Sequence, residues 1–156
     1  MRVFHSSTEI VQHPDIYHSR KYLDFGSGFY ITTLYDQAVK YGSRFIRRQK
    51  EAWLNTYELD FSENDWKILS FDSYDSRWLD YVYKCRNGVE TEFYDMIVGG
   101  IANDKVILTL DLYFAGDITQ NEALNKLRYE KPNIQYCIRS QEMIDKCLTY
   151  INSEKL

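Results

Sequence analysis

The chain has 156 residues, of which 44% are hydrophobic and 16% aromatic, with a formal net charge of −4 and a pI near 5.4. This length suits one domain with a single core, and the apolar content excludes a disordered chain. The acidic balance argues against a protein that wraps nucleic acid, because such binding relies on clustered positive charge.

The amino-terminal run "RVFH" predicts a short strand that ends at His5. The apolar core of a secretory signal is not present there, and no stretch reaches the roughly 20 apolar residues of a membrane span. The three cysteines, Cys85, Cys137 and Cys147, are odd in number and have no CxxC spacing, which favours a reducing compartment. We therefore expect a cytoplasmic protein whose cysteines are structural.

A polar loop and a glycine-containing turn are expected before the second strand. Residues 6–22 are polar, whereas "GFYITT" is aromatic and β-branched, as strands are. Thr33 and Asp36 then resemble a capping box, with Asp in the acidic role. Apolar residues recur at helical spacing from Tyr35 to Ile46, which predicts a helix.

The middle of the chain predicts a hairpin, two helices and a strand. "WLNTYELDF" and "WKILSF" are expected to pair across the turn "SEND". "DSRWLDYVYKCRNG" predicts a helix that stops at Asn87 and Gly88, and "DMIVGG" predicts a buried strand. "NDKVILTLDLYFAG" has β-branched residues but also helical spacing, and Gly116 supplies a stop, so a helix is favoured.

The last third of the chain predicts two helices around a strand. "TQNEALNKL" has a capping box formed by Thr119 and Glu122, and "IQYCI" is a typical strand. "SQEMIDKCLTYI" predicts a closing helix capped by Ser140, with Ile144, Cys147, Leu148 and Ile151 facing inward. Strands and helices mix without regular βαβ alternation, which predicts one α+β domain over residues 1–156.

Several common chemistries have no motif in this chain. The three histidines, His5, His13 and His18, form no H-E-x-x-H, and no Cys/His set has zinc spacing. "GSG" at Gly26–Gly28 is not a dinucleotide fingerprint, because the third glycine is missing and a strand follows where a helix should begin. We therefore expect no metal site and no Rossmann domain.

One basic run interrupts the acidic chain. It consists of Arg44, Arg47, Arg48 and Lys50. Such a run is typical of a solvated helix face. The sequence leaves open whether it holds an acidic partner.

Three separated pieces, "VFHSS", "DFGSGFYITT" and "NIQYCI", resemble in this order the H-Y-E branch of the ADP-ribosyltransferase superfamily. In that branch a first strand ends in His, a strand after a Gly-containing turn carries Tyr, and a third strand carries Glu. The matches are His5, Tyr30 and a polar residue near the third piece. Over nearly its whole length the chain also resembles a small bacterial family of unknown function placed in that superfamily, through "SRKYLDFGSGFYITT", "YDMIVGGIANDK", "DLYFAG" and "YEKPNIQ".

The resemblance implies two small, mainly antiparallel sheets around a cleft with flanking helices, and NAD bent across that cleft as the substrate. It implies that His5 holds a ribose hydroxyl and that Tyr30 stacks on nicotinamide. The third side chain would stabilise the positive charge that develops on the ribose as its bond to nicotinamide breaks. Gln135 is the first candidate for this third position because it lies in the late strand, and Glu130, just upstream, is the second.

Further NAD contacts are implied beside the His5 and Tyr30 motifs. Ser6 and Ser7 are expected to donate to ribose or phosphate, and Arg20 to pair with the pyrophosphate, since a guanidinium fork matches phosphate oxygens. Gly26 and Gly28 would let the backbone approach the dinucleotide. The expected NAD-binding set is Ser6, Ser7, Arg20, Gly26, Gly28 and Phe29.

Two functions remain open from the sequence. The first is an NAD-dependent mono-ADP-ribosyltransferase acting on a protein or nucleic acid, of the kind that serves as the toxin of a toxin–antitoxin pair. The second is a weak or inactive NAD-binding or partner-binding module that lacks the usual Glu. Compared with Glu, a neutral Gln135 would lose on the order of 1–2 kcal/mol of transition-state stabilisation. It would also hinder the formation of ADP-ribose polymers. RNA 2′-phosphate transfer, which uses a related fold, is disfavoured by the low basic content.

Overall fold

The structure, a computed structural model, describes residues 1–156 as seven strands and five helices. In chain order these are β1 (Arg2–Ser7), β2 (Phe29–Ile31), α1 (Tyr35–Arg47), β3 (Trp53–Leu59), β4 (Ile68–Ser70), α2 (Ser76–Arg86), β5 (Met96–Ile101), α3 (Asp104–Phe114), α4 (Gln120–Leu127), β6 (Asn133–Ile138), α5 (Gln141–Cys147) and β7 (Leu148–Lys155).

The strands form two small sheets, which confirms the α+β class. The first sheet has the order β1-β3-β7 and is antiparallel throughout. The second has the order β2-β6-β5-β4 and is mixed, because β4 runs parallel to β5 while the other pairs are antiparallel. No helix is both long enough and apolar enough to span a bilayer.

The two sheets are joined at one point by backbone hydrogen bonds. The Phe4 N–H donates to the Thr32 carbonyl at 2.8 Å, and the Thr32 N–H donates to the Phe4 carbonyl at 3.0 Å. Beyond this bridge β1 continues alongside β3, whereas β2 continues alongside β6. The strands therefore separate and leave an opening between them.

Each face of the second sheet is buried in its own hydrophobic cluster. Side chains of successive strand residues point to opposite faces, so Ile97 and Cys137 enter one cluster while Met96 and Ile138 enter the other. The first cluster also contains residues of α2, α3 and α4. The second lies between the two sheets and includes residues of α5. Burial on both faces explains the nearly continuous apolar run of β5, whereas β6 keeps polar residues in its half-buried first part.

Local signals in the helices are confirmed where side chains cap the ends. Thr119 and Glu122 form the predicted capping box of α4, and Ser140 accepts a hydrogen bond from the Met143 N–H at the start of α5. Gly88 adopts a φ of 68° just after α2, as its predicted stop role requires. The ambiguous segment 104–114 is a helix, α3.

Three local predictions are wrong. The hairpin does not form, because β3 lies between β1 and β7 while β4 joins the other sheet. The capping box of Thr33 and Asp36 is absent; the N-cap of α1 is Leu34, whose N–H donates to Thr32 Oγ1 at 3.1 Å.

The third correction concerns the carboxyl terminus. Helix α5 ends at Cys147, and the residues from Leu148 onward form β7 on the open edge of β3. Thr149, Tyr150 and Ile151 are β-branched or aromatic, so strand pairing suits them once an edge is available.

Candidate functional site

A cleft of ≈ 1150 Å³ opens where β1 and β2 separate. Its walls come from the end of β1, the loop that follows it, β2, α1 and β6. His5, Tyr30 and Gln135 all line this cleft. A smaller hollow of ≈ 580 Å³ beside Trp66 contains none of the three. The structure therefore brings together the three side chains that the sequence placed on separate strands.

His5 lies at the point where the two sheets part. Its Nδ1 is 2.8 Å from the Tyr30 carbonyl oxygen, and its ring lies 4.5 Å from that of Phe29. A carbonyl only accepts hydrogen bonds, so Nδ1 carries the proton and donates. The neutral ring then keeps a lone pair on Nε2. His5 thus offers a hydrogen-bond acceptor for a hydroxyl group.

The environment of His5 favours its neutral form. Burial lowers the pKa of the imidazole below its usual value of 6.5, and the hydrogen bond to the Tyr30 carbonyl opposes this shift only in part. Burial disfavours the charged form of any ionisable group. At neutral pH the ring is therefore uncharged and Nε2 is free to accept.

This pKa shift predicts a loss of stability in mild acid. As the pH falls below about 6.5, His5 binds a proton in the unfolded chain but not yet in the folded one. The free energy of unfolding therefore decreases until the pH reaches the lower pKa of the folded state. We expect His5→Asn, which keeps a donor but does not titrate, to lose less melting temperature than the wild type between about pH 7.5 and 5. His13→Asn, at an exposed position, is the control. Equal losses in the wild type and His5→Asn would contradict the prediction.

The backbone of Ser6 faces the same opening. Phe4 directs its N–H and C=O towards β2, and residues two apart in a strand direct these groups to the same side. No backbone hydrogen bond joins Ser6 to β2, because the two strands have diverged at this point. The Ser6 hydroxyl is occupied, donating to the Ala38 carbonyl of α1 at 2.6 Å. Ser6 therefore offers its backbone, rather than its side chain, to a ligand.

Tyr30 presents its ring and not its hydroxyl. The hydroxyl donates to the Gly26 carbonyl at 2.6 Å and accepts from the Phe25 N–H at 3.2 Å. Burial raises the pKa of this phenol well above its usual value. Proton transfer by Tyr30 is thus disfavoured, and the half-buried ring is the part that is available to a ligand.

Gln135 is a polar side chain in the cleft wall without a partner inside the protein. It pairs across β6 and β5 with Gly99, and it shares a sheet face with Cys137, the cross-strand partner of Tyr30. Its half-buried amide makes no hydrogen bond within the chain. Glu130, the second candidate, follows α4 and does not line the cleft. Of the two candidates, only Gln135 lines the cleft.

The fold itself explains why positions 26 and 28 of the turn are glycine. Gly26 has a φ of 73°, which a side chain would strain, and it lies outside the cleft lining. Gly28 lines the cleft, but a Cβ there would sit 2.5 Å from Cys137 Sγ and 2.8 Å from the Ile138 carbonyl oxygen. Close packing of β2 on β6 therefore already requires this glycine. Contact between either glycine and NAD stays a prediction.

The other expected binding residues also line the cleft. Phe29 is buried and packs edge-on against Tyr57, so it supports the His5 ring from behind. Ser7 accepts a long 3.4 Å hydrogen bond from the Glu9 N–H. Arg20 is exposed, and its Nη2 lies 3.4 Å from the Tyr41 hydroxyl.

Asn55 is a positioning residue that the sequence analysis missed. It is fully buried, and its four hydrogen bonds use the whole capacity of the amide. Oδ1 accepts from the Val11 N–H at 2.9 Å and from Ser153 Oγ at 2.6 Å. Nδ2 donates to the carbonyls of His5 and Glu9, both at 3.3 Å. An Asn in the centre of a predicted strand is a signal for such a role, because strands are depleted in Asn.

A largely buried ion pair closes the far wall. Arg86 donates through Nε to Asp24 Oδ1 at 2.7 Å, and Asp24 Oδ2 accepts from the Ala102 N–H at 2.7 Å. The side chains of Asp24 and Arg86 are only 11% and 23% exposed. This pair ties the segment before the Gly26 turn to the ends of α2 and β5, and nothing local in the sequence indicates it.

Comparison with known proteins places the chain in a family. No curated protein and no solved structure matches it. The family described as "Protein of unknown function (DUF3990)" matches residues 1–150. Because this match covers nearly the whole length, the chain belongs to that family.

Proposed function

We propose that the protein binds NAD in the cleft and transfers a single ADP-ribose unit to a macromolecular acceptor. The observation that carries this proposal is the convergence of His5, Tyr30 and Gln135 on one cleft of ≈ 1150 Å³. The resemblance to the H-Y-E branch of the ADP-ribosyltransferase superfamily supports it, since the same three positions hold NAD in that branch. The two-sheet architecture that opens at His5 is consistent with it.

Each of these groups has a proposed role that its contacts at the cleft support. His5 Nε2 accepts a hydrogen bond from a ribose hydroxyl, while Nδ1–H stays bound to the Tyr30 carbonyl. The Ser6 N–H and C=O, one donor and one acceptor on one strand, match the carboxamide of nicotinamide. The Tyr30 ring stacks on the pyridine plane, because its hydroxyl is already engaged by the Gly26 turn.

Gln135 acts at the reacting ribose. The bond between the ribose carbon and the nicotinamide nitrogen breaks, its electron pair goes to that nitrogen, and the ribose becomes an oxocarbenium-like cation. The amide oxygen of Gln135 accepts from a hydroxyl of this ribose and turns its dipole towards the cation. A neutral acceptor contributes about 0.5–1.5 kcal/mol, less than a carboxylate. A nucleophilic atom of the acceptor then bonds to this ribose carbon and loses its proton to solvent. Without a carboxylate to activate the acceptor hydroxyl, the reaction is slow and stops at one unit.

A second candidate function is an NAD-binding or partner-binding module with little or no activity. The observation that favours it is that neither Glu130, the second candidate from the sequence, nor the buried Asp24 is available as a substitute carboxylate. Glu130 does not line the cleft, and both oxygens of the buried Asp24 are occupied. Under this alternative the cleft recognises NAD without cleaving it.

Incubation with NAD separates the two candidates. We expect the wild type to release nicotinamide, and Gln135→Ala to release it about 2- to 10-fold more slowly, since one neutral hydrogen bond is lost. The Gln135 side chain has no internal partner, so the variant should fold normally; Gln120→Ala, exposed on α4, is the control. A rise in melting temperature with NAD but no nicotinamide release supports the binding module. No rise and no release would reject NAD binding under either candidate and would leave only a partner-binding module.

A cytoplasmic role of the protein is consistent with its cysteines. The three cysteines are free and buried, as suits a reducing cytoplasm. We propose that the protein acts there as the toxin of a toxin–antitoxin pair, with a protein antitoxin as its partner. Slower growth of a bacterial host that expresses the wild type than of the same host with an empty vector is the readout; equal growth of these two hosts would reject the toxin role.

A further inference from the structure

One exposed side of α1 carries a row of cations that begins at the cleft. At 100° per residue, Lys40, Arg44 and Arg47 fall within a sector of roughly 60°, and Arg48 follows directly as the residue after the helix. All four are exposed, and no acidic residue occurs between positions 37 and 50. We call these four residues the basic stripe.

The basic stripe is almost free of internal ion pairs. Arg44 lies 3.8 Å from Asp104, a carboxylate whose side chain is 93% exposed. The salt bridges of the structure include none to Lys40, Arg47 or Arg48. In a chain with a net charge of −4, this is a local concentration of unneutralised positive charge. Charge alone does not distinguish this surface from a solvated helix face, so the inference also depends on the aromatic residues beside it.

An aromatic surface connects the basic stripe to the cleft. Tyr41 and Arg44 line the cleft, and the Arg44 guanidinium carbon lies 5.5 Å from the centre of the Tyr41 ring. From the opposite wall, Arg20 reaches the Tyr41 hydroxyl. The Phe45 ring packs edge-on against Tyr41 and holds it in place. The cleft entrance is thus a fixed aromatic ring between two guanidinium groups.

From this arrangement we infer that the acceptor is a single-stranded nucleic acid, an inference that rests on the proposed function. Cations in a row bind successive phosphates, and an aromatic ring beside them stacks a base; single-strand binding proteins combine these two features. A base must be unstacked to reach a reacting ribose inside a cleft, and a single strand presents it unstacked at little energetic cost. An acidic protein would satisfy the cations but would leave the aromatic entrance without a function.

The experiment measures binding of labelled single-stranded RNA and DNA of about 20 nucleotides by fluorescence anisotropy. The variant reverses the charge of three stripe residues outside the cleft: Lys40→Glu, Arg47→Glu, Arg48→Glu. The control makes the same change in charge at exposed residues after and within α4: Lys126→Glu, Arg128→Glu, Lys131→Glu. We expect at least a tenfold loss of affinity for the first variant and little loss for the control.

Salt dependence gives a second, independent readout. Each phosphate contact in a single strand contributes about −0.7 to the slope of log affinity against log salt, so removing three contacts should flatten the slope by about 2. A duplex of the same length and a polyglutamate of similar charge are the comparison ligands. Equal binding of the duplex or of polyglutamate, or equal losses in the two variants, would overturn the inference.

The NAD assays distinguish failure of this inference from failure of the proposed function. The stripe variant leaves His5, Tyr30 and Gln135 intact, so its response to NAD should match that of the wild type. A response to NAD without nucleic-acid binding rejects the acceptor alone. Nucleic-acid binding without any response to NAD leaves the stripe as a binding surface and rejects the transfer reaction.

Discussion

Replacing Asn55 with leucine is expected to lower the free energy of unfolding by about 2–4 kcal/mol. Leucine has the same number and branching of side-chain heavy atoms but can bond none of the four groups that Asn55 satisfies. The Val11 N–H, the Ser153 hydroxyl and the His5 and Glu9 carbonyls would then each lose a hydrogen bond. Each unsatisfied buried group costs about 1–3 kcal/mol, reduced where water can enter.

Urea unfolding at neutral pH measures this change. Asn152→Ala is the matched control, because Asn152 lies on the neighbouring strand β7 but is exposed; we expect its effect to stay within about 0.5 kcal/mol. Since Asn55 also fixes the loop after β1, Asn55→Leu should weaken any NAD-induced rise in melting temperature as well. A loss no larger than that of the control would show that the network is not rigid in solution.

The substitution Gln135→Glu is expected to raise the rate of nicotinamide release about tenfold. A hydrogen bond to a charged group contributes about 1.5–3 kcal/mol, against 0.5–1.5 kcal/mol for a neutral one. Under the proposed mechanism this difference, on the order of 1–2 kcal/mol, acts where positive charge develops, and 1.36 kcal/mol is a factor of ten in rate. The side chain keeps its shape, and no internal hydrogen bond is lost.

Steady-state release of nicotinamide at saturating NAD tests this prediction. Gln37→Glu is the control, since Gln37 is a second amide in the cleft lining, bonded to Thr32 Oγ1 at 3.1 Å. It adds the same charge at a different place. Equal acceleration in both variants would indicate a general effect of charge in the cleft. A decrease in Gln135→Glu would place Gln135 away from the reacting ribose.

The sequence predicts those parts of the fold that depend on neighbouring residues. The capping box of Thr119 and Glu122 and the stop at Gly88 are local hydrogen-bond and backbone effects, and both are confirmed. Strand partners are not local. The segments of β3 and β4 are close in sequence, yet each finds a better partner elsewhere: β3 between β1 and β7, and β4 beside β5. Local alternation of polar and apolar residues carries no information on that choice.

The candidate site was predictable to the same limited degree. The resemblance named His5, Tyr30 and Gln135, and the structure places them around one cleft. It gave no account of what holds them, because that depends on burial and on distant partners. The engagement of the Tyr30 hydroxyl by the Gly26 turn and the pairing of Asp24 with Arg86 both require the folded chain.

The parting of β1 and β2 at His5 has a mechanical consequence. The Phe4–Thr32 pair supplies the backbone hydrogen bonds between the two sheets. The next contact between β1 and β2 comes from a side chain, because the His5 imidazole donates to the Tyr30 carbonyl. The imidazole ring of His5 therefore sets the distance between β1 and β2 at this point. A ligand that donates a hydrogen bond to Nε2 would also polarise the Nδ1–H group. The hydrogen bond from Nδ1–H to the Tyr30 carbonyl, which links β1 to β2 beside the cleft, would then become stronger.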